Sequence, residues 1–344
     1  MSTSRFVLFV PQHQGGGTGE FFRLLTVATA LHAADASVRI EFLMPKACRL
    51  RPLLPFPHTE SDLPDEQRQQ FHARELARLK PTIVVFDKTC RGSMLRLCRR
   101  LKIRSVCISD EPGTCGKTFR ADWLWSLDEH WHQRYLLGRP AFSAWQRLLA
   151  RISSTRRVLF DVCQLEDAVA ALAPSSPYLL FVPGGGTYRI DGRTTAELFI
   201  EAADRVARAT GMPVLAIGQA VSGEEPGDRR VTVLPPQPQG QLIALMRGAT
   251  IVVTGGGHLI NQAISVRVPT VSMPLGGSDQ SLRVDDFASR GWTVAAQPQV
   301  DDIADKTLQL LGDTAALQTM RERLQTIEII QGVPLMVESL LRRL

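Results

Sequence analysis

The chain has 344 residues, a length that fits two α/β domains of about 150 residues each better than one. Its 44% hydrophobic and 22% charged residues are typical of a folded globular protein and exclude a disordered or collagen-like chain. The net charge of +6 suits an anionic partner, but a nucleotide sugar or an anionic membrane accounts for it without any nucleic acid.

No apolar run is long enough for a signal-peptide core or a membrane-spanning helix, so we expect a cytoplasmic protein. The cysteines show no pair at the two-to-four-residue spacing of zinc or redox sites. They lie at Cys48, Cys90, Cys98, Cys107, Cys115 and Cys163. This spacing predicts reduced, structural thiols.

The first half of the chain alternates predicted strands and helices, as a parallel sheet requires. Strands are predicted at 5–10, 38–44, 82–86 and 105–109, with helices at 20–34 and 92–101. From 123 to 157 the sequence is rich in tryptophan and irregular, and no element is predicted there.

The alternation restarts in the second half, which predicts a second domain. Strands are predicted at 178–182, 214–217, 231–234, 251–254 and 270–273, a helix at 195–210 and an amphipathic terminal segment at 322–344. We therefore divide the chain into an N-terminal domain (1–157), a linker (158–177), a C-terminal domain (178–325) and a C-terminal helix (326–344). Doubly wound sheets of this kind bind ligands beyond the carboxyl ends of their strands.

Glycine clusters follow three of the predicted strands, at 15–19, 184–186 and 255–257. Bare backbone before a helix lets a phosphate approach the free N–H groups and the positive end of the helix dipole. The alternative is a tight turn with no ligand. A dinucleotide dehydrogenase is disfavoured because Gly15, Gly17 and Glu20 lack the last glycine of that fingerprint.

The stretch from Val253 to Ala263, with Val268-Pro269, Met273-Pro274, Ser278-Asp279-Gln280 and Gly291, resembles the donor signature of GT-B glycosyltransferases. Within that family it resembles the group of the lipid II-forming N-acetylglucosaminyltransferase (family 28-like) and the natural-product glycosyltransferases. Residues 17–23 are similar to the UDP-sugar hydrolase of pseudaminic acid synthesis, a homologue of those transferases. The resemblance implies a GT-B fold, in which two Rossmann-like doubly wound domains face a cleft, with the acceptor on the N-terminal domain and a nucleotide-sugar donor on the C-terminal one.

The resemblance places Gly255 and Gly256 on the pyrophosphate turn, and Asp279 with Gln280 on the pair that binds the hydroxyls of the donor sugar. Gln262 stands where the family has a ribose-binding glutamate, and an amide binds a diol less strongly than a carboxylate does. Arg283 replaces an asparagine. The full set of expected donor-binding residues is Gly184, Gly185, Gly186, Thr254, Gly255, Gly256, Gly257, His258, Gln262, Asp279 and Gln280.

Inverting sugar transfer needs a base for the acceptor proton and a group that stabilises the departing diphosphate. Glu20 stands where the family has a histidine and is the first candidate base; His13 is the second, and a helix cap is the alternative role for Glu20. On the acceptor side we place Gly17, Thr18, Gly19 and Asp110, the last of which could instead lie in a surface turn.

No Asp-x-Asp occurs, so we expect a metal-independent reaction without a cofactor, in which His258 and the following helix stabilise the diphosphate. His258 as a solvated turn residue is the alternative. His130 and His132 are interpreted as structural, because further ligands at suitable spacing are missing.

The expected reaction is the transfer of a sugar, from a UDP-sugar or a related donor, to a small-molecule or lipid-linked acceptor. The alternatives are a nucleotide-sugar hydrolase and a non-catalytic nucleotide-sugar-binding protein. A basic run at 91–104, interleaved with apolar residues, fits an anionic membrane surface, on the inner face of the membrane, as well as it fits a solvated helix face.

Overall fold

The computed structural model describes residues 5–11, 19–45, 51–88, 90–110, 112–139, 141–165, 172–184, 188–218, 230–276 and 278–344. The chain forms two compact units, one of residues 1–163 with 330–344 and one of residues 164–329. The first unit therefore includes the C-terminal end of the chain. The boundary between the two units lies after Cys163, within the segment 158–177 that the sequence predicts as a linker.

The N-terminal unit is built on a seven-stranded sheet whose strand pairs are all parallel. Its strands are β1 (Phe6–Val10), β2 (Arg39–Met44), β3 (His58–Glu60), β4 (Ile83–Asp87), β5 (Arg104–Ser109), β6 (Glu129–Gln133) and β7 (Arg156–Phe160). The strand order is β3-β2-β1-β4-β5-β6-β7, so the winding reverses between β1 and β4. Every residue of β1 and β4 is buried, as continuous apolar strands covered on both faces require.

The helices of this unit are α1 (Gly19–Ala34), α2 (Arg68–Leu79), α3 (Gly92–Leu101), α4 (Pro112–Lys117), α5 (Ala121–Leu124), α6 (Ala144–Ile152) and α13 (Gly332–Leu341). The terminal helix α13 packs on α1 and β7. Gly332 is needed at its first turn because a Cβ there would lie 2.6 Å from Cδ2 of Phe160.

The prediction of an irregular region at 123–157 is wrong, since this region contains β6, α6 and the start of β7. The sequence Glu129-His-Trp-His-Gln133 has little apolar character, yet all five residues are buried. Two residues that are distant in sequence compensate the negative charge of Glu129. Ser339 Oγ on α13 lies 2.7 Å from Glu129 Oε1, and Arg343 forms an ion pair with the same carboxylate. Residues at the C-terminal end of the chain therefore help to stabilise the buried Glu129 carboxylate of β6.

The C-terminal unit contains a six-stranded parallel sheet of order β12-β11-β8-β13-β14-β15, with a short hairpin of β9 (Arg189–Ile190) and β10 (Arg193–Thr194) beside it. The sheet strands are β8 (Leu179–Val182), β11 (Val214–Ile217), β12 (Thr232–Leu234), β13 (Ile251–Gly255), β14 (Thr270–Met273) and β15 (Val294–Ala295). The winding reverses between β8 and β13, which pair in parallel. The predicted strands of this half are confirmed to within one residue.

The helices of the C-terminal unit are α7 (Thr195–Thr210), α8 (Gln239–Gly248), α9 (His258–Ser265), α10 (Ser278–Ser289), α11 (Val300–Gly312) and α12 (Thr314–Gln325). Helix α7 begins with a capping box between Thr194 and Glu197 and ends at Gly211 in the left-handed conformation, as these residue types predict. Across the described ranges, no helix is both long and apolar enough to cross a membrane.

Candidate functional site

The reversal point of the C-terminal sheet carries two of the predicted glycine segments. Gly184 follows β8, and Gly255 to Gly257 join β13 to α9. Thr254 Oγ1 donates to the Val182 carbonyl at 3.0 Å, which holds the two strand ends together. Ligands of doubly wound sheets bind at such reversal points, so this edge is the candidate ligand site of the C-terminal unit.

The three glycines of the second segment differ in what surrounds them. A Cβ at Gly255 would lie 2.5 Å from Leu275 Cδ1, and one at Gly256 would lie 2.6 Å from Val284 Cγ2. At Gly257 the nearest atom is Gln280 Nε2, at 4.0 Å. Gly255 and Gly256 are therefore required by packing within the unit, whereas Gly257 leaves open space at the start of α9.

Helix α10 supports the glycine turn from the other side. Arg283, which is buried, donates through Nη1 to the Gly256 carbonyl at 2.5 Å and through Nη2 to Asp279 Oδ2 at 3.0 Å. Gln280 Oε1 accepts a hydrogen bond from the Leu275 N–H at 2.8 Å. Asp279 and Gln280 are thus held at the rim of the turn, and Arg283 is the residue that fixes the turn's backbone.

His258 and Gln262 lie one helical turn apart on α9 and are both partly exposed. Their spacing places them on one face of the helix. Gly257 caps α9 without a side-chain hydrogen bond. The positive end of the helix dipole at this cap favours an anion.

The reversal point of the N-terminal sheet is occupied by charged side chains. Arg23 on α1 binds Asp87 through two hydrogen bonds of 2.8 Å and reaches Asp110 at 3.1 Å. Lys88 lies 2.7 Å from Asp110 Oδ1 and 3.0 Å from Glu20 Oε1. These two cations and three carboxylates form one network with a net formal charge of −1.

Lys88 is held in the left-handed conformation, with φ of 59°, directly after β4. This conformation costs a non-glycine residue on the order of 1 kcal/mol, which the two ion pairs of its ammonium group offset. Burial opposes the charge of Lys88, but Asp110 and Glu20 raise its pKa above the ordinary value. Lys88 is therefore a fixed cation that holds two candidate site residues together.

The pKa of Glu20 is lowered despite burial, because Lys88 and Arg23 lie beside it. A carboxylate with a lowered pKa is a weak base at neutral pH. Burial raises the pKa of Asp87 to about 6, but both its oxygens are held by Arg23. Asp110 is buried, so its alternative placement in a surface turn is wrong.

Several predicted site residues lie outside the described ranges: His13, Gly17, Thr18, Gly185 and Gly186. Gly19 is the first residue of α1, beside Glu20. Among the described residues, the structure brings together Glu20 with Asp110 in one unit, and Gly184 with Gly255, Gly256, Gly257 and Thr254 in the other. Sequence reasoning missed Arg23, Asp87 and Lys88, although Asp87 and Lys88 directly follow the predicted strand 82–86.

No protein-family model and no curated protein sequence matches the chain. Solved structures match it over nearly its whole length. The chain is similar to the spinosyn forosaminyltransferase SpnP, with a TM-score of 0.62, 17% identity and coverage of 98% of this chain and 99% of that one. It is similar to LpCGTa in complex with UDP, with a TM-score of 0.64, 15% identity and coverage of 99% of both chains.

A third similar structure is MurG of Acinetobacter baumannii, with a TM-score of 0.62, 15% identity and coverage of 98% of this chain and 99% of that one. All three similarities span both units. The chain has the GT-B fold. At these identities the similarity establishes the fold only, and the assignment of donor and acceptor sites depends on the residues of this chain.

The GT-B fold explains why the two reversal points matter. Each unit presents the carboxyl ends of its central strands to a potential ligand, and in this chain the two edges carry different groups. The edge of the C-terminal unit presents glycine backbone and a helix N-terminus. The edge of the N-terminal unit presents an ion-pair network.

Proposed function

We propose that this GT-B protein is a glycosyltransferase that takes a sugar from a nucleotide diphosphate donor, with UDP as the expected nucleotide. The observation that carries the proposal is the open position at Gly257, at the N-terminus of α9 and at the reversal point of the sheet. Backbone N–H groups and the helix dipole favour a diphosphate there. The structural similarity to a protein in complex with UDP supports UDP as the nucleotide.

In this proposal Asp279 and Gln280 bind hydroxyls of the donor sugar, His258 contacts the diphosphate and Gln262 binds the ribose. The ion pair with Arg283 fixes the direction of the Asp279 carboxylate. The hydrogen bond from Leu275 occupies Gln280 Oε1 and so directs its amide N–H groups towards Gly257. Both side chains are thereby preorganised at the rim of the turn.

The test is UDP binding by calorimetry to the full chain and to Gly257→Val. Because Gly257 has open space around it, valine there should leave the fold intact while blocking the diphosphate, and we expect affinity to fall at least tenfold. Gly312→Val is the control, since a Cβ at Gly312 likewise meets no atom closer than 4 Å and Gly312 lies outside the proposed site. Equal affinities of the two variants would refute the assigned donor site.

We further propose that the reaction is metal-independent and inverting. Helix α9 and His258 would stabilise the departing diphosphate, the task that a divalent cation performs in enzymes with an Asp-x-Asp pair. Turnover should therefore persist in excess EDTA. Activity that disappears with the chelator and returns with magnesium or manganese would contradict this mechanism.

The similarity of residues 17–23 to a UDP-sugar hydrolase supports the second candidate function, hydrolysis of the nucleotide sugar. A panel of nucleotide sugars, incubated with and without cell extract, separates the candidates. Release of nucleotide only with extract indicates a transferase, and free sugar without extract indicates a hydrolase. Binding without turnover would show a non-catalytic nucleotide-sugar-binding protein.

The acceptor side includes a surface suited to an anionic membrane. On α6, Trp145, Leu148 and Ile152 are 65%, 48% and 58% exposed, and no residue of this helix is buried. Their spacing places them on one face. Arg147 and Arg151 lie on the same helix, which has no acidic residue.

The exposed Trp125 lies between α6 and the basic helix α3, as hydrogen bonds from residues near both helices show. Arg99 on α3 donates to the Trp125 carbonyl at 3.0 Å, and Thr155 just after α6 donates to the Leu124 carbonyl at 3.0 Å. Exposed tryptophan and aliphatic side chains beside arginines are typical of peripheral binding to anionic lipid. We therefore propose a cytoplasmic protein that contacts the membrane through α3, Trp125 and α6, and whose acceptor is small or lipid-linked.

Sedimentation with vesicles of neutral lipid, with and without phosphatidylserine, tests this surface. Leu148→Asp should weaken binding to the anionic vesicles severalfold. Leu53→Asp is the control, because Leu53 is equally exposed, at 50%, in the same unit. Equal binding of both variants, or binding without dependence on anionic lipid, would exclude the proposed contact.

A further inference from the structure

A partly exposed tyrosine lies beside the glycine turn of the C-terminal unit, on a different segment of the chain. Tyr188 is the first described residue after Gly184 and directly precedes the β9–β10 hairpin. Among the described residues, its hydroxyl has no hydrogen-bond partner. A phenol can donate one hydrogen bond and accept others, so this hydroxyl is open to water or to a ligand.

The backbone of Tyr188 is held by the start of α7. Its carbonyl accepts a hydrogen bond of 2.8 Å from the N–H of Thr195, the first residue of that helix. The hairpin pairs Arg189 with Thr194, and the capping box between Thr194 and Glu197 fixes the first turn of α7. Tyr188 is therefore anchored to a regular element, as a side chain that must contact a ligand at a fixed position requires.

The ring of Tyr188 packs against Gly276. A Cβ at Gly276 would lie 3.1 Å from both Cδ1 and Cε1 of the ring, closer than most Cβ contacts in proteins. The ring thus fills the space that a side chain at position 276 would take. Gly276 lies between β14 and α10, so the ring is supported by the backbone that leads into α10.

A contiguous set of contacts joins Tyr188 to the proposed donor site. Leu275, the residue before Gly276, packs on the glycine turn, since its Cδ1 would lie 2.5 Å from a Cβ at Gly255. Its N–H donates to Gln280 Oε1 at 2.8 Å. Tyr188 is therefore separated from the turn only by the short segment that also orients Gln280.

The two ends of the segment 184–188 lie beside different helices. A Cβ at Gly184 would lie 3.5 Å from Leu259 Cδ1 on α9, the helix that the proposed function assigns to the diphosphate and the ribose. Tyr188, at the other end, lies against Gly276 at the entry to α10, the helix assigned to the donor sugar. Tyr188 is therefore on the sugar side of the site rather than on the nucleotide side.

We propose that Tyr188 is a specificity-determining residue that contacts the sugar of the nucleotide-sugar donor. Its ring packs on the C–H groups of the pyranose, and its hydroxyl forms a hydrogen bond with one of the sugar hydroxyls. An aromatic ring with a polar end suits a ligand that has both apolar C–H groups and hydroxyls. This inference rests on the proposed function, because it requires a nucleotide sugar at the glycine turn.

The test compares, by calorimetry, the affinities of the full chain for UDP, UDP-glucose, UDP-galactose and UDP-N-acetylglucosamine. For the sugar donor that binds most tightly, Tyr188→Ala should lower the affinity about tenfold and leave the affinity for UDP unchanged. Trp292→Ala is the matched control, because Trp292 is a partly buried aromatic residue of the same unit that precedes β15, at the amino edge of the sheet. It should not change the ratio of the two affinities.

The variant Tyr188→Phe removes the hydroxyl but keeps the ring on Gly276. It should reduce the discrimination between UDP-glucose and UDP-galactose, which differ in the direction of one hydroxyl, with UDP affinity again unchanged. An equal loss of affinity for UDP and for the sugar donors would place the ring at the nucleotide and overturn the inference, as would no loss in Tyr188→Ala. Failure of the wild-type chain to bind UDP itself would instead refute the proposed donor site.

Discussion

The two units share one topology, but the reversal points of their sheets carry opposite chemistry. Between β1 and β4, five charged side chains satisfy one another and leave a net formal charge of −1. Between β8 and β13, glycine backbone and the N-terminus of α9 are found, and the ion pair of Asp279 with Arg283 lies on the neighbouring helix α10. In the proposed function, the second edge binds the anionic diphosphate and the first orients the acceptor hydroxyl.

The largest effect is expected from breaking the buried network of the N-terminal unit. Arg23→Met removes the partner of Asp87 and leaves its buried carboxylate uncompensated, so the free energy of unfolding should fall by about 3–5 kcal/mol. Urea denaturation measures the change, and Arg120→Met, at an exposed arginine, should change little. A loss below about 1 kcal/mol would mean that the network contributes little to stability.

The buried His132 predicts a pH dependence that belongs to the N-terminal unit. Burial lowers the pKa of His132 to about 4 in the folded chain, against 6.5 unfolded, so the unfolded chain binds more protons between these values. Stability is therefore lost as pH falls from about 6.5 to 4, by on the order of 3 kcal/mol for this group.

Denaturation of the wild type and of His132→Asn at both pH values isolates this effect, since the variant should show a smaller loss. The raised pKa of Asp87 acts in the opposite direction over part of the same range, but it is common to both proteins. His58→Asn, at an exposed histidine, should keep the wild-type slope. An unchanged slope in His132→Asn would show that this ring is not held neutral by burial.

The two candidate bases, Glu20 and His13, provide a further test of the N-terminal edge. Since Lys88 and Arg23 keep the pKa of Glu20 low, we expect Glu20→Gln to lower kcat by less than about tenfold. His13→Asn should lower kcat about 100-fold with donor Kd unchanged, because His13 is the other candidate base. The reverse ranking would assign the base to Glu20 in spite of its ion pair.

The smallest expected effect is at Gly256. Alanine there would press against Val284 and the Gln280 carbonyl, so Gly256→Ala should destabilise the C-terminal unit by about 1–3 kcal/mol. Gly257→Ala should cost much less. Thermal denaturation of the two variants compares them, and equal losses would contradict the different packing around these neighbouring glycines.

The sequence by itself determined the architecture wherever apolar residues form continuous runs. The strands β1, β4, β8, β13 and β14 and the helices α1, α3 and α7 follow from local composition and periodicity, because burial of a parallel strand on both faces requires such runs. The glycine segments at 184 and 255–257 were also found this way, since the strand–glycine–helix order is local.

Only the tertiary structure decided which side chains meet. The strand β6 was missed because Glu129, His130 and His132 look like surface residues, and their partners Ser339 and Arg157 lie far along the chain. The same holds for Arg23, which finds Asp87 and Asp110 only when three elements converge. A buried charge is stable only beside its partner, and that partner is set by the fold, so no local pattern can reveal it.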